Sequence, residues 1–125
     1  MRGMTWFWIA SAGALGAVLR YALGELLAAL AGATPPLGAF AANVLGCFLF
    51  GLVTGLIPAE NAGPLRVALL VGFLGSFTTF STYVGDVVQL VQAGRLAAAA
   101  GWVAAHNGLG LLALLAGAGA AGLTR

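Results

Sequence analysis

Four long apolar segments, separated by short connections, organise the chain. They run from about Thr5 to Leu30, Leu37 to Ile57, Pro64 to Val91 and Leu96 to Leu123. Each reaches the length of about 20 apolar residues that a helix needs to cross a bilayer. No space for a soluble domain remains in the connections, which are about Gly32–Pro36, Pro58–Gly63 and Gln92–Arg95. The pattern predicts an all-α integral membrane protein with four transmembrane helices in one domain, residues 1–125.

Composition supports this interpretation. Hydrophobic residues make up 62% of the chain and charged residues 6%, whereas a typical soluble domain is about a quarter charged. The stretch after Arg2 resembles a signal peptide, but apolar character resumes beyond Arg20 and Tyr21, and no polar mature domain follows. We therefore interpret it as a retained first helix. The arginines are spread along the chain, so no basic cluster indicates nucleic-acid binding.

The third segment is polar in its middle. Five hydroxyl residues alternate there with three aromatic residues; the hydroxyls are Ser76, Thr78, Thr79, Ser81 and Thr82, and the aromatics are Phe77, Phe80 and Tyr83. Gly72 and Gly75 precede the cluster and favour a break in the helix. One or two hydroxyls can bond back to the preceding helical turn. Five in seven positions instead indicate a segment that packs on protein or lines a watery path.

Such a cluster has chemistry suited to a small anion. Phe80 and Tyr83 are three residues apart, so on a helix they share a face. Aromatic rings are electropositive at their edges, and hydroxyl groups can donate hydrogen bonds. Together they form a weakly attractive lining, and conduction requires binding loose enough for exit.

Three further polar residues within spans each have a structural and a functional interpretation. The Asn43 amide either bonds to a neighbouring helix or donates to an anion. His106 either packs against a neighbouring helix or faces a pore. Arg20 either anchors the helix at the interface beside Tyr21, pairs with Glu25, or draws anions toward an entrance.

Catalysis is not expected. Glu25, Glu60 and Asp86 are the only carboxylates, and His106 is the only histidine. No catalytic triad, metal-ligand cluster or phosphate-binding loop is present in the sequence. The single cysteine, Cys47, lies in an apolar run and has no partner in the chain for a disulfide, so we interpret it as a small core residue.

The distribution of arginine is nearly even across the membrane. Four spans place both termini on one side with Arg2, Arg66 and Arg125, opposite Arg95 and, if it extends outward, Arg20. A difference this small does not fix orientation by the positive-inside rule. The chain is therefore expected to insert both ways and to pair as an antiparallel dimer, which would also supply more helices to enclose a pore.

The residues in three of the segments resemble a known family. The chain is similar over essentially its whole length to the Fluc (CrcB) family of bacterial fluoride channels. The resemblance rests on GALGAVLRY at residues 13–21, NVLGCFLFG at residues 43–51 and GFLGSFTTFST at residues 72–82. The third block is the most specific of the three.

The resemblance implies an architecture and an activity. Members are antiparallel, dual-topology homodimers with two pores, through which fluoride leaves the bacterial cell passively, so that cytoplasmic fluoride falls. The resemblance also implies a structural sodium ion on the two-fold axis, held by backbone carbonyl oxygens of Gly75 and Thr78 from each chain. Oxygen ligands suit such a hard cation.

The resemblance also assigns pore residues. The pore asparagine falls on Asn43, the aromatic pair on Phe80 and Tyr83, and the vestibule arginine on Arg20. The expected polar track is completed by Thr79, Ser81, Thr82 and His106. The chain departs from the family pattern at Tyr83 in place of phenylalanine, at Ala39 in place of threonine, and at His106 in place of serine, with Asn107 as a second register for that serine.

A small multidrug-type exporter is the alternative class. Such proteins also have four short helices and dual topology, and they resemble proton-coupled antiporters with a glutamate inside the first helix. Here Glu25 lies near the end of that helix, and Arg20 opposes a cation site.

Overall fold

Four membrane-length helical segments form the protein. The computed structural model describes residues 2–31 and 37–122. Its first, second and fourth spans are single helices: α1 (Arg2–Ala31), α2 (Leu37–Leu56) and α6 (Leu96–Gly122). The third span covers Pro64–Gln92 in several pieces. The predicted helix bounds agree to within a few residues. The predicted connection at 32–36, the end at Leu123 and the terminal Arg125 lie outside the described residues.

The third span changes its helical geometry twice. It begins as α3 (Pro64–Val67), with proline at the first helical position. It continues as a π-helix (Ala68–Leu74) and a last short turn, α4 (Gly75–Phe77). Thr78 and Thr79 are extended, and α5 (Phe80–Gln92) then resumes the helix. The predicted break is confirmed, whereas the π-helical stretch was not predicted.

The connections are short and well bonded. A single 3₁₀ turn, Ala59–Asn61, lies between α2 and α3. The Nε of Arg66 donates to the carbonyl oxygen of Ile57 over 2.9 Å and so satisfies a backbone acceptor at the end of α2. Gly94 turns the chain between α5 and α6 with a φ of 72°, a conformation that glycine adopts without strain.

Glycines allow the helix backbones to approach closely. The most extensive packing joins α2 and α6, where Gly51 and Gly117 each lie against the backbone of the other helix. On the other side of the bundle, α1 packs on the π-helix, with Gly16 against Phe73 and Gly72 against Ile9. Small residues at helix contacts are the usual means of close packing in a bilayer, where no hydrophobic force drives helices together.

The large apolar side chains mostly face outward. Trp6, Leu30, Leu65 and Leu112 are all more than half exposed, and many other apolar residues of the four spans resemble them. Such side chains can face the hydrocarbon tails of the bilayer, so they need not be buried against protein. The interior is instead made of small residues such as Ala42 and Ala121, which are fully buried.

We predict that close packing at Gly117 is required for stability. A Cβ atom there would lie 2.9 Å from the backbone nitrogen of Leu52. Gly117→Ala should therefore lower the free energy of unfolding by about 1–3 kcal/mol, as overpacking does. The matched control is Gly119→Ala, two residues along the same helix, where nothing lies within 4 Å of the added methyl group.

The measurement is unfolding of both variants in mixed micelles with increasing denaturing detergent, followed by circular dichroism. The control should stay within about 0.5 kcal/mol of the unmodified protein, or gain slightly from the better helix former. Equal stability of the two variants would contradict the packing described here.

Candidate functional site at the helix break

A side chain from α2 closes the backbone of the helix break. The backbone N–H of Thr79 donates to Oδ1 of Asn43 over 2.7 Å, and Nδ2 of Asn43 donates to the carbonyl oxygen of Thr79 over 3.1 Å. The break removes the Thr79 N–H from a helical ladder, and inside a membrane this group must find a partner. The Thr79 carbonyl begins the ladder of α5, and the Asn43 amide gives it a second bond. Asn43 therefore makes an interhelical contact. Nδ2 carries two hydrogens, so this contact leaves it a second one to donate.

The hydroxyl cluster is partly structural. The Oγ1 of Thr78 bonds back to the carbonyl oxygen of Leu74 over 2.9 Å. The Oγ1 of Thr79 accepts from the backbone N–H of Thr82 over 3.2 Å and so caps the start of α5. It also donates to Oγ1 of Thr82 over 2.9 Å, while Oγ of Ser81 lies 3.4 Å away. Because the Thr82 hydroxyl accepts in this contact, its own proton remains available.

The two aromatic residues of α5 share a face, as predicted. The ring centroids of Phe80 and Tyr83 lie 5.7 Å apart with their planes at 63°, an edge-on arrangement. Phe80 is 76% exposed, which is unusual for a residue so close to the polar centre. Its ring is therefore free to present an edge to an ion or to a neighbouring molecule.

His106 and Asn107 both contact Tyr83 from α6. The rings of His106 and Tyr83 lie 4.3 Å apart and tilted by 31°. Nδ2 of Asn107 donates to the Tyr83 hydroxyl over 3.1 Å and to the carbonyl oxygen of Val103 over 2.8 Å. His106 is 8% exposed, so it is a packed residue that also adjoins the aromatic pair. No signal in the sequence predicts the contact between Asn107 and Tyr83.

Arg20 reaches the last helical turn before the break. Its Nε donates to the carbonyl oxygen of Ser76 over 3.1 Å. The structure thus favours neither an ion pair with Glu25 nor a purely interfacial arginine, and this contact was not foreseen from the sequence. Arg20 also lines a small hollow of about 210 Å³. The other residues of that hollow are Tyr21, Gly24, Glu25, Gly38, Ala39, Thr79 and Thr82.

A second, larger groove lies on the other side of Thr79. Its volume is about 400 Å³, and Thr79 lines both it and the hollow at Arg20. The groove is also lined by Gly75, Asn43 and Thr78, and by the aromatic residues Phe50, Phe80 and Tyr83. Most sequence-predicted site residues thus line one of the two spaces; Ser81 and His106 do not, although each contacts a residue that does.

The backbone at Gly75 and Thr78 offers oxygen ligands. Both residues line the groove, and Gly75 is exposed, with no atom outside its own helix near its Cα hydrogens. The hydrogen bonds of the described residues do not include one to either carbonyl oxygen. Within that part of the chain, no group of three or more His, Cys, Asp or Glu side chains could hold a metal ion.

These features define the class of protein: a small four-span membrane protein whose polar centre is a broken helix rather than a set of catalytic side chains. The chain belongs to the CrcB family. The family model described as "CrcB-like protein, Camphor Resistance (CrcB)" matches residues 7–118, which is most of the sequence.

Relatives from several bacteria carry one name, "Fluoride-specific ion channel FluC". The chain is 42% identical to the protein of Rhizobium etli over 113 residues, which is 89% of this chain and 90% of the relative. It is 41% identical to that of Nitrosococcus oceani over 112 residues (88% and 90%). It is 44% identical to that of Nitratidesulfovibrio vulgaris over 112 residues (86% and 89%).

Proposed function

We propose that this protein is a fluoride channel, not an enzyme, and that it lets fluoride leave the bacterial cell passively. It is a multi-pass protein of the bacterial plasma membrane, with four spans and relatives named as fluoride-specific channels. No energy source is needed, because an inside-negative potential drives an anion outward by about 2.3 kcal/mol per 100 mV. Residues 1–125 act as one domain in this proposal.

One observation carries the proposal: the helix break at Thr79 is closed by Asn43 and surrounded by neutral hydrogen-bond donors and ring edges. The nearest guanidinium, that of Arg20, donates through Nε to a backbone carbonyl. A small anion would thus meet dipoles rather than a full positive charge at the centre. Dipoles attract it without trapping it, as conduction requires.

The pore residues have distinct roles in this proposal. The second Nδ2 hydrogen of Asn43 and the free hydroxyl proton of Thr82 donate to the ion, with help from Ser81. The rings of Phe80 and Tyr83 offer their edges. The remaining members of the track, Thr79 and His106, hold the donors and the ring of Tyr83 in place, and Arg20 attracts anions to the vestibule.

A second copy of the chain is proposed to cover the groove. The groove of about 400 Å³ is open and contains polar groups at membrane depth. It is lined by Phe80, Gly75 and Thr78, among others. Lipid cannot satisfy such groups, whereas a partner can. The even arginine distribution supports antiparallel pairing with dual topology. A pore would then be enclosed by both chains.

The same interface is proposed to hold a structural sodium ion. Gly75 and Thr78 line the groove, and the side-chain and loop hydrogen bonds of the described residues include none to their carbonyl oxygens. Two such pairs, one from each chain, would supply four oxygen ligands. This donor set fits a hard cation without any charged side chain. The ion would stabilise the interface rather than take part in transport.

The alternative of a small multidrug-type exporter is not favoured. The relatives described above are named as ion channels. Glu25, the candidate for a proton-coupled carboxylate, shares the small hollow with Arg20. A nearby guanidinium would repel a cationic drug.

We predict fluoride flux with little chloride flux. Purified protein in liposomes loaded with potassium fluoride should release fluoride once valinomycin relieves the charge imbalance. Liposomes loaded with potassium chloride should release chloride at the rate of protein-free vesicles. A fluoride-selective electrode and a chloride electrode make the two measurements. Equal release of the two anions would overturn the proposal.

We also predict that Phe80 and Asn43 are needed for flux more than for folding. Phe80→Ile keeps apolar bulk but removes the electropositive ring edge. Asn43→Asp retains an acceptor for the Thr79 N–H but places a negative charge where the anion passes. At about 4 Å a like-charge contact costs about 1 kcal/mol even in water, and more in a pore. Both variants should elute as the unmodified protein does, yet conduct at least about tenfold more slowly.

Tyr83→Phe is the matched control for these two variants. It retains the ring and its contact with Phe80, and Asn107 keeps its second bond to the Val103 carbonyl. Fluoride efflux should therefore persist. Loss of flux in this variant alone would show that the tyrosine hydroxyl, rather than the ring edges, provides the essential contact.

We predict an antiparallel dimer that depends on sodium. In a Cys47→Ser background, Asn61→Cys places the only thiol in the exposed α2–α3 connection. A membrane-impermeant maleimide added outside intact cells should label about half of the copies. Labelling of all or none would contradict dual topology.

In detergent, replacement of sodium by N-methylglucamine should raise the monomer fraction, whereas an unchanged monomer fraction would count against the structural sodium ion.

A further inference from the structure

Three buried polar atoms on α5 and α6 lack hydrogen-bond partners. Among the described residues these are Oδ2 of Asp86, Nε1 of Trp102 and Nε2 of His106. A buried polar group without a partner is costly, and native proteins rarely leave one so. Here three occur together: Asp86 and Trp102 line one hollow, and the rings of Trp102 and His106 lie 5.0 Å apart. Trp102 therefore neighbours both Asp86 and His106.

The hydrogen bond of His106 determines which of its two ring nitrogens carries no hydrogen in the neutral form. Its Nδ1 lies 3.2 Å from the carbonyl oxygen of Trp102, and a carbonyl can only accept. Nδ1 therefore carries the hydrogen, and Nε2 of the neutral ring presents a lone pair. The cluster thus holds two acceptors, Nε2 of His106 and Oδ2 of Asp86, and one donor, the Trp102 N–H. One added proton, alone or carried by a water molecule, supplies the missing donor.

The surroundings of His106 suit a cation. The rings of Phe40 and Trp102 stand nearly perpendicular to it at 4.8 Å and 5.0 Å, and the ring of Tyr83 faces it at 4.3 Å with a tilt of 31°. A ring whose face lies within about 6 Å of a cation stabilises it, as the face of Tyr83 would here. His106 is also 8% exposed, so few other groups compete for its free nitrogen.

A route for the proton leads from the end of the bundle. A hollow of about 390 Å³ beside Asp86 and Trp102 extends to Gln89 on α5 and to Arg95 in the α5–α6 connection. The titratable or charged groups around His106 are Tyr83 and Asp86 on α5, Arg95 at the mouth of the hollow, and Cys47 on α2, near Gly110 one turn along α6. Of these, Asp86 is the one carboxylate, and the proposal concerns its pairing with His106.

We propose that His106 and Asp86 bind one proton between them, and that this proton controls the rate of fluoride permeation. When this proton is absent, ionised Asp86 gives the pair a net negative charge, and His106 is the residue of the pair that contacts Tyr83. When the proton is bound, the pair is neutral as a whole. Because the ring of His106 rests on that of Tyr83, the charge of the pair acts on an anion that passes the aromatic residues. This inference rests on the proposed fluoride channel.

The first test is the pH dependence of fluoride efflux between about pH 5 and 8, where histidine ordinarily changes charge. After subtraction of the leak from protein-free liposomes at each pH, the unmodified protein should conduct at least about fivefold faster at the acidic end. That factor corresponds to about 1 kcal/mol, the size of a unit-charge interaction at 4 Å in water.

Two variants should remove the pH dependence in opposite ways. His106→Asn leaves Asp86 without a proton partner, so flux should stay slow over most of the range. Asp86→Asn removes the negative charge, so flux should be fast and nearly constant. The matched control is Glu60→Gln, which removes an exposed carboxylate from the α2–α3 connection and should keep the unmodified pH profile. Retention of that profile in His106→Asn would overturn the proposal.

A second test does not depend on transport. The chain has a single histidine, so ¹⁵N-histidine labelling of protein purified without a histidine tag gives one imidazole in the NMR spectrum. Its neutral form should carry hydrogen on Nδ1 and gain the second proton on Nε2 over the pH range in which flux changes. Asp86→Asn should move that transition. A neutral ring protonated on Nε2, or no transition in that range, would overturn the site even if fluoride permeates normally.

The two tests separate the two proposals. If the protein conducts no fluoride at any pH, the channel proposal fails, and the NMR titration still decides whether the proton site exists. If fluoride permeates selectively but neither the flux nor the imidazole responds to pH, the channel stands and the proton site is wrong.

Discussion

The pairing of Asn43 with the backbone of Thr79 is the interaction on which the site depends. The break leaves the Thr79 N–H without a partner in lipid or in the preceding helix, and it leaves the Thr79 carbonyl with room for a second bond beside the first bond of α5. One amide side chain meets both, with distances of 2.7 and 3.1 Å. The same break makes Thr79 the cap of α5 and places Gly75 and Thr78 in the wall of the groove. A hydrophobic residue at position 43 would therefore remove the contact with Thr79 and, with it, the arrangement of the polar groups at the helix break.

Close helix packing puts Asn43 within reach of that backbone. Gly46, one turn along α2, lies against the methyl group of Thr78, and Gly51 lies against the backbone of α6. Any side chain at these positions would push α2 away from the break or from its neighbour. Small residues thus serve the polar site indirectly: they fix the distance between helices to which a short amide side chain is suited.

The sequence was sufficient for the four spans and for the position of the break, because hydropathy and glycine spacing report these directly. It was not sufficient for the partners of Arg20 and Asn107. Each bonds to a residue more than 20 positions away, and no local periodicity encodes such contacts. The π-helix at Ala68–Leu74 was also missed, because its apolar residues are equally compatible with an α-helix. The structure likewise showed that several hydroxyls of the cluster stabilise the chain itself.

Tyr83 on α5 and the polar pair His106 and Asn107 on α6 make physical sense as a set. A tyrosine at position 83 brings a hydroxyl group to membrane depth, where it needs a partner. Asn107 donates to that hydroxyl, and its bond to Val103 holds the amide in place. The His106 ring lies against the same ring at 4.3 Å with a tilt of 31°, and its Nδ1 contacts the Trp102 carbonyl. Tyr83 is therefore contacted by α6 at both its hydroxyl group and its ring, and these contacts set the position of the ring that stands edge-on to Phe80.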